Sequence, residues 1–161
     1  MAHVEIVESA LIQAPAARAY GLIADYRDGH RRIVPPRAFK WLRVDSGGTG
    51  AGTAIAFEMR VLGTSNVARA TVSEPQPGRV LVETDVDGRV ITTFTVDPKG
   101  ASACLVTIAT TLKPRAGIAG WIEAIVSRRI LPPLYREELQ RLAEHAEGRQ
   151  VHAPVPQGPG A

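Results

Sequence analysis

One cysteine, Cys104, is all the thiol chemistry this chain of 161 residues contains. A single thiol excludes an intrachain disulfide and any metal knot built from several cysteines. It fits a reducing compartment, and a cytoplasmic location is expected. No apolar run approaches the ~20 residues that a bilayer-spanning helix needs. The longest candidate, Ile118 to Ile130, is broken by Glu123, Arg128 and Arg129, so no stable membrane insertion is expected. The opening residues, Met-Ala-His-Val-Glu-Ile-Val-Glu, have neither a basic leader nor an apolar stretch, so no signal peptide is expected.

Clustered positive charge is also missing. The net charge is +3, but the arginines are dispersed, with adjacent pairs only at Arg31–Arg32 and Arg128–Arg129. Aromatic residues make up 5% of the chain and do not interleave with the basic ones. Nucleic-acid modules concentrate basic charge on one face or stripe, so no nucleic-acid partner is expected. The four histidines, His3, His30, His145 and His152, share no ligand spacing, and neither a metal nor a cofactor is expected. No Gly-x-Ser-x-Gly elbow occurs. The stretch Gly47 to Gly52 lacks the Lys-Ser/Thr ending of a phosphate loop and runs into a strand, so it reads as a hairpin turn.

What the chain does have is periodicity. At 45% apolar it can fill one core, and its length suits one domain. Val4 and Ile6 alternate with Glu5 and Val7 in an opening strand that reaches Ile12. Pro15 suits the first turn of a short helix running to Ala24. Asp25 to Pro36 reads as a second helical turn and an extended loop, because each proline disfavours helix in the residue before it. Six strand-like runs follow, Phe39–Val44, Thr53–Leu62, Asn66–Ser73, Arg79–Asp85, Arg89–Val96 and Ala103–Leu112, joined by short turns such as Asp87-Gly88. Connections this short require antiparallel neighbours. Ile55, Phe57, Met59 and Val61 share an apolar face, as do Val90, Thr92, Phe94 and Val96, and Cys104, Val106 and Ile108. From Gly117 the apolar residues Ile118, Ile122, Val126, Ile130 and Leu134 recur every fourth position, continued by Leu139 and Leu142. This predicts a helix, kinked or divided at Pro132-Pro133, that stops near Gly148. The expected domain is 1–148, and the Pro/Gly-rich residues 149–161 are expected to be a disordered tail.

This order of elements resembles the helix-grip fold of the START-like (SRPBCC) superfamily, which includes polyketide cyclases/dehydratases and lipid-transfer domains. The resemblance spans residues 4–147. "IQAPAARAYGLIADYRDGH" is similar to the opening of polyketide cyclase-like proteins, and "GTGAGT", "SEPQPGRVLVETD" and "TTFTVDP" are similar to bacterial members. It implies an α+β domain, a curved antiparallel sheet of about seven strands around a long C-terminal helix. It also implies a cavity for a hydrophobic or aromatic small molecule, held by a carrier or sensor or transformed by a cyclase/dehydratase-like enzyme. A homodimer is admitted.

Phe57, Met59, Ala70, Phe94, Ile108, Val126 and Leu134 are the expected ligand contacts. The small residues Ala68 and Ala70 opposite Phe57 leave volume unfilled. His30 and Tyr26, in the densest titratable cluster, are the candidate proton carriers. Arg37 is a candidate for orienting the substrate, and it and Arg69 are candidate clamps for a ligand carboxylate. Glu83 and Asp85 depend on strand parity. If Val80, Val82 and Thr84 face inward the acids are solvated, and the apolar count favours that reading. Cys104 reads as a small core hydrophobe.

Overall fold

A computed structural model describes residues 3–160. β1 (Val4–Ile12) leads to Pro15, whose φ of −57° is already helical, and α1 (Ala16–Ala24) starts there. Asp25 ends α1 and organises the next turn: its carboxylate accepts the backbone N–H groups of Arg27, Asp28 and Gly29 at 3.1–3.2 Å. This sets up the short α2 (Gly29–Ile33). Six strands follow, β2 (Phe39–Ser46), β3 (Ala54–Val61), β4 (Thr64–Gln76), β5 (Val80–Asp85), β6 (Val90–Pro98) and β7 (Cys104–Leu112), and then α3 (Gly117–Ala146).

The seven strands form one antiparallel sheet in the order β1-β7-β6-β5-β4-β3-β2. β1 closes it by pairing with β7 from Val4↔Leu112 to Ile12↔Cys104. On β7 the inward residues Cys104, Val106 and Ile108 are buried, alternating with half-buried outward ones. α3 packs along β1 and against α1, α2 and β7, so the sheet grips it from one side. This is the helix-grip fold. Its core joins Ile12, Ile23, Ile33, Phe94, Leu139 and Leu142 into one cluster.

Two elements differ from the sequence pattern. α3 runs unbroken through Pro132 and Pro133, and its apolar series is only partly buried. Leu134, Leu139 and Leu142 are buried, whereas Ile118 and Ile122 are exposed. Each step of four residues advances about 40° around a helix of 3.6 residues per turn, so Leu134 lies about 160° from Ile118. A strict i+4 series winds around the helix and cannot stay on one face.

The second difference is the tail, expected to be disordered. It is docked in extended form against α2 and β2. Val155 is 3% exposed, its N–H donates to the Arg31 carbonyl at 2.8 Å, and the Leu42 N–H donates to the Pro156 carbonyl at 2.9 Å. The Arg31, Arg32 and Arg43 guanidiniums donate to the carbonyls of Val155, His152 and Pro159. Gly158, at φ +74°, lies on the Trp41 ring, where a Cβ would come within 2.4 Å. Prolines that cannot form helix still present carbonyls, and arginines of α2 and β2 supply the matching donors.

Candidate functional site

Between the sheet and α3 lies a cavity of ≈ 120 Å³. Phe57 and Met59 on β3, Phe94 on β6 and Leu134 on α3 line it. Among the other expected contacts, Ala70 and Ile108 are buried in the core without reaching its wall, and Val126 stands away from it, half-buried on α3. The apolar walls converge on a polar end made by His30, Glu83, Glu138 and Thr92.

Glu83 faces inward, opposite to the parity favoured by apolar count. On β5, Leu81 pairs with Phe94 and Glu83 with Thr92. Leu81 is fully buried, so the odd-numbered side chains point at the core and Val80, Val82 and Thr84 lie on the outer face. The acid is tolerated because two groups wait for it. The Tyr26 hydroxyl donates to Glu83 Oε1 at 2.6 Å, and His30 Nε2 stands 3.6 Å from the same oxygen. Asp85 shares the parity but caps the β5–β6 hairpin, accepting the N–H groups of Arg89 and Val90 at 2.7 and 3.0 Å.

Tyr26 is fully buried and stacks on His30 with centroids 4.4 Å apart, and Phe94 meets the imidazole edge at 5.6 Å. Burial, and then the charge of Glu83, hold the Tyr26 phenol well above its usual range, so it remains a donor. His30 Nδ1 lies 2.7 Å from the Ile23 carbonyl. A carbonyl only accepts, so Nδ1 carries a hydrogen in every protonation state. Nε2 is therefore the nitrogen that gains or releases a proton, and it faces Glu83 and the cavity.

Glu138 is a residue that the sequence patterns did not single out. It sits on α3 between Leu134 and Leu142, is 4% exposed, and its Oε1 is buried without a hydrogen-bond partner among the described residues. Burial, and then the charge of Glu83, push its carboxyl up to about 8. At neutral pH it is mostly a carboxylic acid and can donate a proton. A signal was present in the sequence, because an acid at the centre of an i, i+4, i+8 leucine series has nowhere to point except inward. Beside it the Tyr135 hydroxyl lies 2.5 Å from Thr110 Oγ1, itself 2.8 Å from Thr92 Oγ1, and burial pushes Tyr135 up to about 12.

The other candidates lie elsewhere. Arg37 is exposed and bonds Glu137 at 2.5 Å outside the cavity, and Arg69 is exposed on the outer parity of β4. Cys104 is buried, and burial raises its thiol. Among the described residues no three of His, Cys, Asp and Glu converge as metal ligands, and no helix is long and apolar enough to cross a membrane.

The fold is similar to that of KanY protein, solved by NMR, at 27% identity and a TM-score of 0.78, over 92% of this chain and 100% of that one. It is also similar to the Zhui aromatase/cyclase from Streptomyces sp. R1128, at 16% identity and a TM-score of 0.77, over 92% and 96% of the two chains. A START superfamily protein from Mycobacterium smegmatis matches at 13% identity and a TM-score of 0.67, over 92% and 100%. No curated protein matches the sequence. The family model described as polyketide cyclase/dehydrase and lipid transport matches residues 3–147, almost the whole helix-grip domain, and the chain belongs to that family.

Proposed function

We propose that the cavity takes up a compact, mostly apolar molecule with a carbonyl or hydroxyl group and moves protons on it, as an enolising and dehydrating enzyme. The observation that carries this reading is the pair of unlike carboxyl groups at one end of an apolar chamber. Glu83 is held by Tyr26 and His30, while Glu138 is protonated near neutrality, with one oxygen free of partners among the described residues. A carboxyl raised by burial, lining the same cavity as a hydrogen-bonded glutamate and a histidine, offers an acid and a base in one site. A buried carboxyl without a partner is costly to the fold, which argues for a use.

In this reading the base is the Glu83–His30 couple, with Nε2 or the Glu83 carboxylate taking a proton from the carbon next to a carbonyl. Glu138 gives its proton to the departing hydroxyl. The C–H and C–O bonds break, a C=C bond forms and water leaves. Return of the proton from the base to Glu138 resets the site. Tyr26 keeps Glu83 in place, and Phe57, Met59, Phe94 and Leu134 hold the ring. The volume suits one six-membered ring, since cavities of about 150 Å³ accept benzene.

The test uses ring-sized β-hydroxy ketones such as 3-hydroxycyclohexanone, with the conjugated cyclohexenone followed by its ultraviolet absorbance. Turnover is expected, and Glu138→Gln and His30→Gln should each lower it at least about 100-fold. If such ketones bind but come off unchanged, the enzyme reading fails and the cavity is that of a carrier or sensor.

A further inference from the structure

Most of the large hydrophobic side chains exposed among the described residues gather at one end of the molecule. On α3 they are Ile118 (79% exposed), Trp121 (66%), Ile122 (51%) and Ile125 (39%). Their spacing of i, i+3, i+4 and i+7 makes one continuous outward stripe. Leu62, at the tip of the β3–β4 hairpin, and Val86, at the tip of β5–β6, are 74% and 71% exposed. Register sets these tips on the same side of the sheet. β5 ends at Asp85 opposite Ala70, and the Val86 N–H donates to the Arg69 carbonyl, so β4 runs on to Thr64 and carries Leu62 beyond Val86. Leu112, just before α3, pairs with Val90 at the start of β6, and Arg89 bonds Glu123 at 3.0 Å. The cavity wall reaches the same end through Met59, Val90 and Leu131.

The free charge flanking the α3 stripe is basic, while Asp87, beside Val86 at the β5–β6 tip, is an exposed acid. Arg128 and Arg129 continue the helical stripe one turn beyond Ile125, and Lys113 and Arg115 precede it. Arg60 flanks the β3–β4 tip. All five are exposed and none forms an ion pair among the described residues. The local acid Glu123 is already engaged by Arg89.

We infer that this end docks on an anionic lipid surface, with Ile118, Trp121 and Ile122 of α3 entering the headgroup boundary and the flanking arginines lying on the phosphates. Isolated tips and one helical stripe protrude here instead of forming a groove, which suits a fluid surface better than a folded acidic partner. Tryptophan favours the interfacial layer, and each basic residue near such a surface adds attraction. The inference is independent of the reaction in the cavity.

Co-sedimentation of the full chain tests it, with vesicles of phosphatidylcholine alone or with one third phosphatidylglycerol. Binding is expected to the mixed vesicles only, to weaken with added salt, and to fall at least about tenfold in Arg128→Glu/Arg129→Glu. Trp121→Ser/Ile122→Ser should lose binding while keeping its thermal midpoint, because both side chains are exposed. Brominated phosphatidylglycerol should quench the parent's fluorescence but not that of Trp121→Phe. Absence of binding to mixed vesicles, equal binding by the charge-reversed variant, or a dimer that Trp121→Ser/Ile122→Ser dissolves would each overturn the inference, the last in favour of a second copy of the chain.

Discussion

The hydroxyl of Tyr26 and the carboxylate of Glu83 meet at 2.6 Å, although one belongs to the turn after α1 and the other to the middle of the sheet. The contact ties the start of α2 to β5, and His30 on α2 stands over the same oxygen. Removing the phenol oxygen should therefore loosen both the fold and the site. Tyr26→Phe is expected to cost about 2 kcal/mol, the worth of a hydrogen bond to a charged group. Chemical denaturation measures it, and a loss below about 0.5 kcal/mol would mean that water replaces the phenol without penalty.

Glu138 gives the protein a definite pH dependence. Its folded carboxyl titrates near 8 against an ordinary value of 4.5. Between those values the folded state holds a proton that the unfolded state has released. Stability is highest below the unfolded value and falls as pH rises toward the folded one, by roughly 1.4 kcal/mol per pH unit. Glu138→Gln should flatten this slope between about pH 5 and 8. Urea unfolding of both proteins across that range is the check, and parallel curves would contradict it.

The docked tail predicts that residues 151–161 matter to stability. Burying Val155 is worth about 1.5–3 kcal/mol, and a chain of this size shifts its Tm by roughly 2–4 °C per kcal/mol. Truncation after Gln150 is expected to lower Tm by roughly 5–10 °C, and Val155→Asp to do much the same. An unchanged Tm in a calorimetric scan would show that the tail contributes nothing.

Much of this fold could be read from alternation alone. The strands around Phe57, Phe94 and Val106 announce their faces, and Asp87-Gly88 marks its hairpin. The site was less legible. On β5 the residues Val80, Val82 and Thr84 look more apolar than Leu81, Glu83 and Asp85, so composition points the wrong way. Only partners supplied from other elements, Tyr26 and His30 for Glu83 and the hairpin N–H groups for Asp85, let the acidic side of the strand turn inward. The tail shows no periodicity because its contacts are backbone carbonyls, which composition does not record. Arg37 looked like a clamp from its place after two prolines, but Glu137 on the outer side of α3 holds it.

The cavity carries its own prediction. Met59 lines open volume, so Met59→Trp should enter that space and leave stability unchanged or improved. In a filled core the same change would cost roughly 1–3 kcal/mol. The variant should also stop binding a hydrophobic fluorescent probe that the parent takes up. A destabilised Met59→Trp that still binds the probe would mean that this face is solid core.

At the polar end of the cavity, burial and then the charge of Glu83 push the Glu138 carboxyl up to about 8, and the proposed chemistry depends on its holding a proton at neutral pH. Carbon-13 NMR titration of glutamate-labelled protein addresses it directly, with the Glu138 signal identified by its loss in Glu138→Gln. The expected result is a carboxyl with a midpoint near 8 that moves down in Glu83→Gln, because the charge of Glu83 contributes to the shift. A Glu138 signal titrating in the ordinary carboxylate range, or one indifferent to Glu83→Gln, would contradict it.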